Sequence, residues 1–212
     1  MSSKIASVHT VQRRWPLAER PILFNGAMVR AILSGQKTQT RRPVKGEALD
    51  WLGISKYGPE YVAVPGNHLC PFGQPGDRLW VRETWKTHST FDHLSPREVP
   101  PRSNLFYAAD DRYSPSAARW RPSIHMPRWA CRLVLEITDV RVERLQAISA
   151  RDCQGEGIQS DAGGGFHVEG GTHYSTDPIE SFASLWTSTG GDWDNNPWVW
   201  VIEFKRVEAA HG

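Results

Sequence analysis

Cysteine, net charge and long apolar runs are all scarce in this chain, and each scarcity argues against a class of protein. The three cysteines among 212 residues, Cys70, Cys131 and Cys153, are odd in number, far apart and without a Cys-x-x-Cys pair. That spacing argues against a disulfide framework or a zinc knuckle, and reduced thiols in a cytoplasmic protein are expected. The eight histidines form no metal signature. His68-x-Cys70 comes closest to ligand spacing, and the His-x-Glu with Pro-Cys-x-x-Cys of zinc deaminases is missing, so neither a metal nor another cofactor is expected. No stretch is apolar enough to span a bilayer, and Arg13 and Arg14 have no apolar run behind them. Neither a membrane partner nor a signal peptide is therefore expected. A formal charge of +2 gives weak support for a general polyanion binder, although arginine is dense at Arg41–Arg42 and between Arg119 and Arg132.

What is present describes a globular, loop-rich protein: 39% hydrophobic residues, ten tryptophans, 15 prolines and 18 glycines. No repeat and no domain boundary stands out. The expectation is a polar leader over 1–20, one domain over 21–207 with extra segments at about 44–77, 86–129 and 159–176, and a short tail over 208–212. Pro21–Phe24 reads as a short strand. Met28, Val29, Ile32 and Leu33 then form a helical stripe, with Asn25 as N-cap and Gly35 just past the end. Residues 44–77 read as an extended, turn-rich excursion, 86–104 as a surface loop, and 159–176 as a mobile Gly/Ser/Thr-rich segment. Leu105–Ala109 is expected to be a strand, and the twice proline-punctuated Trp120–Trp129 an irregular aromatic connection. Alternation over Ala130–Leu145 slips at Thr138-Asp139, so one bulged strand or two strands are expected there. Ser149-x-x-Asp152 is a capping box, and Asp177-Pro178-x-Glu180 opens a second helix. Pro197–Val207 is apolar on both faces for most of its length, which suits the middle of a sheet. The fold class is α+β: a curved antiparallel sheet, barrel-like, with short helices over it.

Two stretches carry the chemistry. Gly35-Gln-Lys-Thr-Gln-Thr-Arg-Arg-Pro43 packs an amine, two hydroxyls and two guanidiniums just after the first helix. Lys37 and Thr40 meet only if the chain turns between them, because a straight strand sends them to opposite faces. Taken alone, such a stretch is better read as a solvated loop. In Arg78–Trp85, period two puts Leu79, Val81, Glu83 and Trp85 on one face. A carboxylate on an apolar face is costly unless paired, so Glu83 is either in a buried ion pair with an arginine or catalytic.

With Gly35-x-Lys37-x-x-Thr40-x-Arg42, Glu83 and the closing aromatic strand together, the chain resembles the ASCH (activating-signal-cointegrator homology) group of the PUA-like superfamily. It is most similar in look to bacteriophage and prophage members, through Met28–Arg42, Pro75–Trp85 and Asn196–Val201. The resemblance covers most of 21–207 and implies a PUA-like β-barrel whose cleft is lined by the Lys37–Arg42 turn. Small bacterial members include an N4-acetylcytidine amidohydrolase whose catalytic lysine, threonine and glutamate match Lys37, Thr40 and Glu83, and whose nearby arginine matches Arg42. This chain is about twice as long as that enzyme, and its extra segments sit where they could rebuild the pocket. Other members bind RNA or have been described as ribonucleases.

What the resemblance implies is a metal-independent amidohydrolase acting on the N4-acyl amide of a cytosine nucleoside. Thr40 is the nucleophile, and Lys37 is the base once burial or a neighbouring cation lowers its pKa. Glu83 holds Lys37 and passes a proton to the departing amine. A charged Glu83 would raise the lysine pKa, so the pair must share a proton or Glu83 must carry it. Direct attack by water is the competing mechanism. Arg42, Arg41, Thr38, Trp85, Tyr107, His125 and Trp129 are expected around the substrate. The expected partner is a small nucleoside, with RNA second. The rival reading is a PUA-like RNA- or nucleotide-binding module, or a ribonuclease, in which Lys37, Arg41 and Arg42 contact phosphate. Oligomeric state is not legible.

Overall fold

Asn25 is the corner on which the first strand becomes the first helix. The computed structural model describes residues 17–110 and 117–207, so most of the leader and the whole tail lie outside the described residues. Strand β1 (Glu19–Leu23) runs into helix α1 (Gly26–Leu33), where the Asn25 side chain accepts a hydrogen bond from the Met28 N–H. Past α1, Gly35 takes a φ of 78°, the left-handed conformation that ends helices. The N–H groups of Gln36 and Lys37 both donate to the Ala31 carbonyl, at 2.8 and 2.9 Å. The turn closes at Lys37, and strand β2 (Gln39–Pro43) follows it.

The 44–77 segment departs from the expected excursion. It forms two short helices, α2 (Glu47–Leu52) and α3 (Pro59–Ala63), and a 3-10 turn. Each is too short to show a hydrophobic period, and Trp51, Tyr57 and Tyr61 hold them together by ring contacts of 4.5–5.8 Å. Strand β3 (Arg78–Arg82) stops before Glu83, and β4 (Trp85–Lys86) then pairs with β5 (Phe106–Tyr107). The long strand β6 (Val134–Arg144) is continuous, with the bulge at the expected place. Glu203 lies opposite Asp139 and Phe204 opposite Ile137, which leaves Thr138 over. Helix α4 (Ala150–Gly155) carries the capping box, with both of its hydrogen bonds made. The segment expected to be mobile instead forms a small sheet of β7 (Gln159–Ser160), β8 (Phe166–Val168) and β9 (Thr172–Ser175). Helix α5 (Pro178–Ser188), capped by Asp177, and strand β10 (Trp198–Val207) complete the α+β chain.

The main sheet has the order β1-β3-β6-β10-β2. All neighbours are antiparallel except β1 and β3, which run parallel because α1, β2 and the 44–77 segment return the chain to the same end. Strands β1 and β2 are the two edges, and no backbone pairing between them closes a barrel among the described residues. A side chain crosses the gap instead: Arg42 Nη2 donates to the Leu23 carbonyl at 2.7 Å. β10 is buried on both faces, as its composition requires. Trp200, Ile202 and Phe204 join an inner core with Ile22, Phe24, Val29 and Leu135. Val199 and Val201 join a second core under α5 with Leu145, Ile158, Phe182 and Trp186.

Replacing Ser149 by alanine removes the α4 N-cap acceptor and is expected to cost about 1 kcal/mol. Chemical denaturation of Ser149→Ala against the parent chain measures it, and Asp152→Ala should lose the reciprocal bond.

Candidate functional site

Strand alternation divides the polar residues of β2 between two environments. Thr40 pairs with Ile202 and Arg42 with Trp200, so these two share the inner face, while Gln39 and Arg41 turn outward toward α4. Thr40 is buried. Lys37, just before the strand, is 2% exposed. Its Nζ donates to Glu156 Oε2 at 2.7 Å and to the Glu156 carbonyl at 2.8 Å. The same Nζ lies 5.8 Å from the centre of the Phe24 ring, and the Arg42 guanidinium lies 5.3 Å from it. Burial pushes the Lys37 amine below its ordinary pKa and outweighs the opposing pull of Glu156, and the charges of Arg42 and Arg41 act with burial.

Glu83 follows the end of β3 and is 1% exposed, with both carboxylate oxygens taken by Arg132. Arg132 Nε donates to Oε1 at 2.8 Å and Nη2 to Oε2 at 3.0 Å. Arg132 also donates to Asp110 at 2.5 Å and lies 4.0 Å from the Tyr107 ring centre. The carboxylate that holds Lys37 is thus Glu156, and Glu83 makes the buried arginine pair that was the alternative for it. The two groups border the same residue: Phe24 lies by Lys37 and Arg42, and its N–H donates at 3.2 Å to the carbonyl of Arg82, next to Glu83.

The expected substrate contacts separate. The Arg41 side chain is wholly buried on the outer face, where it pairs with Glu143 at 2.6 Å, Glu156 at 3.2 Å and Asp152 at 3.5 Å, and lies 5.9 Å from the Phe182 ring. It is therefore walled off from Thr40 by its own strand. Thr38 is exposed, and its backbone extends the sheet edge, donating to Gly155 and accepting from Phe204, both at 2.8 Å. Trp85 offers no open face for stacking. It is fully buried against Met126 and Ala130, with half-buried Trp129 edge-on at 6.0 Å. Tyr107 is half-buried, donates its hydroxyl to the Ala130 carbonyl at 2.9 Å, and has its phenol pushed up to about 12, chiefly by burial. His125 is exposed on a 3-10 turn.

Sequence reasoning missed Phe24, Arg132 and Glu156. Glu156 did leave a trace: a carboxylate at the C-cap of α4 sits at the wrong end of the helix dipole and calls for a cation. Among the described residues no group of three or more His, Cys, Asp or Glu could hold a metal ion, and no helix is long and apolar enough to cross a membrane.

Removing Glu156 strands the buried Lys37 charge, so Glu156→Ala should lose about 3–5 kcal/mol in denaturant unfolding. The Lys37→Met/Glu156→Leu double variant is expected to recover part of it. Burial raises the Asp152 pKa, but hydrogen bonds from Ser149 and Gln39 and the charge of Arg41 bring it from 3.8 down to about 2. A carboxyl depressed on folding stabilises fully above its unfolded pKa and loses that contribution as pH falls through its folded one. Stability should therefore drop between about pH 4 and pH 2, and Asp152→Asn should flatten that limb in pH-dependent denaturation.

No family model matches the sequence, and no curated protein matches it. Among solved structures the chain is similar to an ASCH domain from Lactobacillus crispatus JV V101, at 13% identity and a TM-score of 0.38, over 91% of this chain and 81% of that one. A TM-score of that size does not establish a shared fold.

Proposed function

We propose that the chain is an ASCH-type amidohydrolase that cleaves the N4-acyl amide of acylated cytosine nucleosides without a metal. The observation that carries the reading is Lys37, an amine sealed from water, pushed down in pKa and held in place three residues before a buried threonine. A neutral lysine can take the Thr40 hydroxyl proton, which allows Oγ to add to the acyl carbon. The oxyanion forms toward Arg42, whose guanidinium is already anchored on the Leu23 carbonyl. The lysine ammonium then protonates the leaving N4 amine, and water releases the acyl group from Thr40. In this scheme Glu156 takes the holding role first given to Glu83. Glu83, fixed by Arg132, accepts a hydrogen bond from the cytosine amine.

The tension between a charged carboxylate and a lysine base persists, with Glu156 now the carboxylate. The direction of the Lys37 shift supports the base role, because burial outweighs the pair. Lys37→Met, Thr40→Val and Glu83→Gln should each lower kcat/KM on N4-acetylcytidine by about 10²-fold or more in an ultraviolet assay. In the parent chain activity should rise with pH as Lys37 loses its proton, and chelator should leave it unchanged. Folded variants with full activity would sink the assignment.

A second reading draws on the pairing of both Lys37 with Glu156 and Glu83 with Arg132, which gives each a purely structural task. A PUA-like RNA- or nucleotide-binding module predicts salt-sensitive RNA binding and no turnover of any acylcytidine.

A further inference from the structure

The 86–129 segment leaves two cavities beside β3, of about 520 and 350 Å³, which share Ser95, Pro96 and His125 and so form one groove. Arg82 and Arg97 line one part of it, and Arg119, Trp120 and Arg121 the other. Arg41, Arg132 and Arg141 elsewhere in the fold meet carboxylates, whereas Arg42 and Arg144 donate to backbone carbonyls, as the groove arginines do. In the groove, Arg82 donates to the Ile124 carbonyl, Arg119 to that of Asp92 at 3.3 Å, and Arg121 to those of Leu94 and Phe91 at 2.9 and 2.7 Å. Backbone carbonyls fix the side chains in place without cancelling their charge.

Asp92 is the carboxylate that lines this groove among the described residues, and it accepts the Arg119 backbone N–H at 3.1 and 3.3 Å. Nearby Glu98 is turned to the Ser95 N–H at 2.9 Å. Arg121 is only 4% exposed, and its Nε, like that of Arg82, is buried with no hydrogen-bond partner. The groove also begins at the candidate site. Arg82 immediately precedes Glu83, and Met126, which lines the groove, accepts the Glu83 N–H at 3.3 Å.

We propose that this groove holds the phosphodiester backbone of a single-stranded nucleic acid, so that the site acts on acylcytidine within a strand rather than on a free nucleoside. The second half of that statement rests on the amidohydrolase reading. Three guanidiniums set along a groove, those of Arg82, Arg97 and Arg119, suit a chain of phosphates, whereas one mononucleotide would neutralise only part of them, and the buried Arg121 adds its charge from the wall. Trp120, half-buried with the Lys86 ammonium 4.3 Å from its ring centre, adds an aromatic surface for a base. The low net charge of the whole chain hides this local excess.

The test uses Arg97→Ala/Arg119→Ala, two exposed positions outside the catalytic set, with thermal unfolding to show that the variant folds. Fluorescence anisotropy follows a short labelled C-rich RNA, the DNA of the same sequence and inorganic polyphosphate across a salt series. The parent chain should bind the RNA or the DNA, and the double variant should bind it about ten-fold more weakly at moderate salt. Its log–log salt slope should be smaller by about 1.4, two single-strand phosphate contacts. Hydrolysis of free N4-acetylcytidine should be unchanged, while kcat/KM on an acetylated oligonucleotide should fall by a similar factor. No binding to either strand, equal binding by the double variant, or polyphosphate binding as tight as the oligonucleotides would overturn the groove. Arginine-dependent strand binding without turnover of any acylcytidine would overturn the amidohydrolase reading alone and leave the groove standing.

Discussion

The Lys37–Glu156 pair is the contact on which the arrangement depends. A buried ammonium and a buried carboxylate each lose several kcal/mol of hydration, roughly, and persist only if their remaining hydrogen bonds are met. Here the protein itself meets two of the three ammonium donors and both carboxylate oxygens. Lys37 receives both a carboxylate oxygen and the backbone carbonyl of the same residue, and the other carboxylate oxygen takes Arg41. Glu156 therefore ties three segments together: the turn after α1, strand β2 and the end of α4. Gly157 follows directly, at a φ of 104° that suits a residue without a side chain.

From that anchor, β2 does two tasks with one alternation. Its outward residues, Gln39 and Arg41, are taken up by Asp152, Glu143 and Glu156. Its inward residues, Thr40 and Arg42, face the core of Phe24, Trp200 and Ile202. A one-residue slip of β2 against β10 would exchange the two sets and send Arg41 into the apolar core. The three-carboxylate cage around Arg41 acts against such a slip, so the outer face sets the register in which Thr40 points inward.

The sequence was most legible where a rule acts over a few neighbouring residues. Asn25 as N-cap, the Ser149–Asp152 box, the slip at Thr138 and the double burial of β10 all depend on local chemistry or on a period long enough to count. It was least legible where structure rests on distant partners. Helices α2 and α3 are too short for a period and are stabilised by ring contacts, and the 159–176 hairpins lie against α5. At the site, the need of Glu83 for a partner could be read from alternation, but not that Arg132, forty-nine residues away, would supply it. The partner of Lys37 lies still farther off in the chain, and only its awkward place at a helix C-terminus marked it.

The arginines show why net charge was a poor guide to partners. Carboxylates cluster on the outer face of β2 and at the end of β3, and the arginines there are neutralised as they are packed. Along the groove the acceptors are backbone carbonyls, which are fixed in number by the chain and contribute no charge. A total near zero is thus reached with a balanced interior beside a groove of arginines held by carbonyls. Glu83 stands at the boundary between the two regimes. Its carboxylate belongs to the balanced interior through Arg132, while its backbone N–H reaches Met126 on the groove wall. A strand lying along the arginines would therefore run toward the residue next to Phe24, where Lys37 and Arg42 also end.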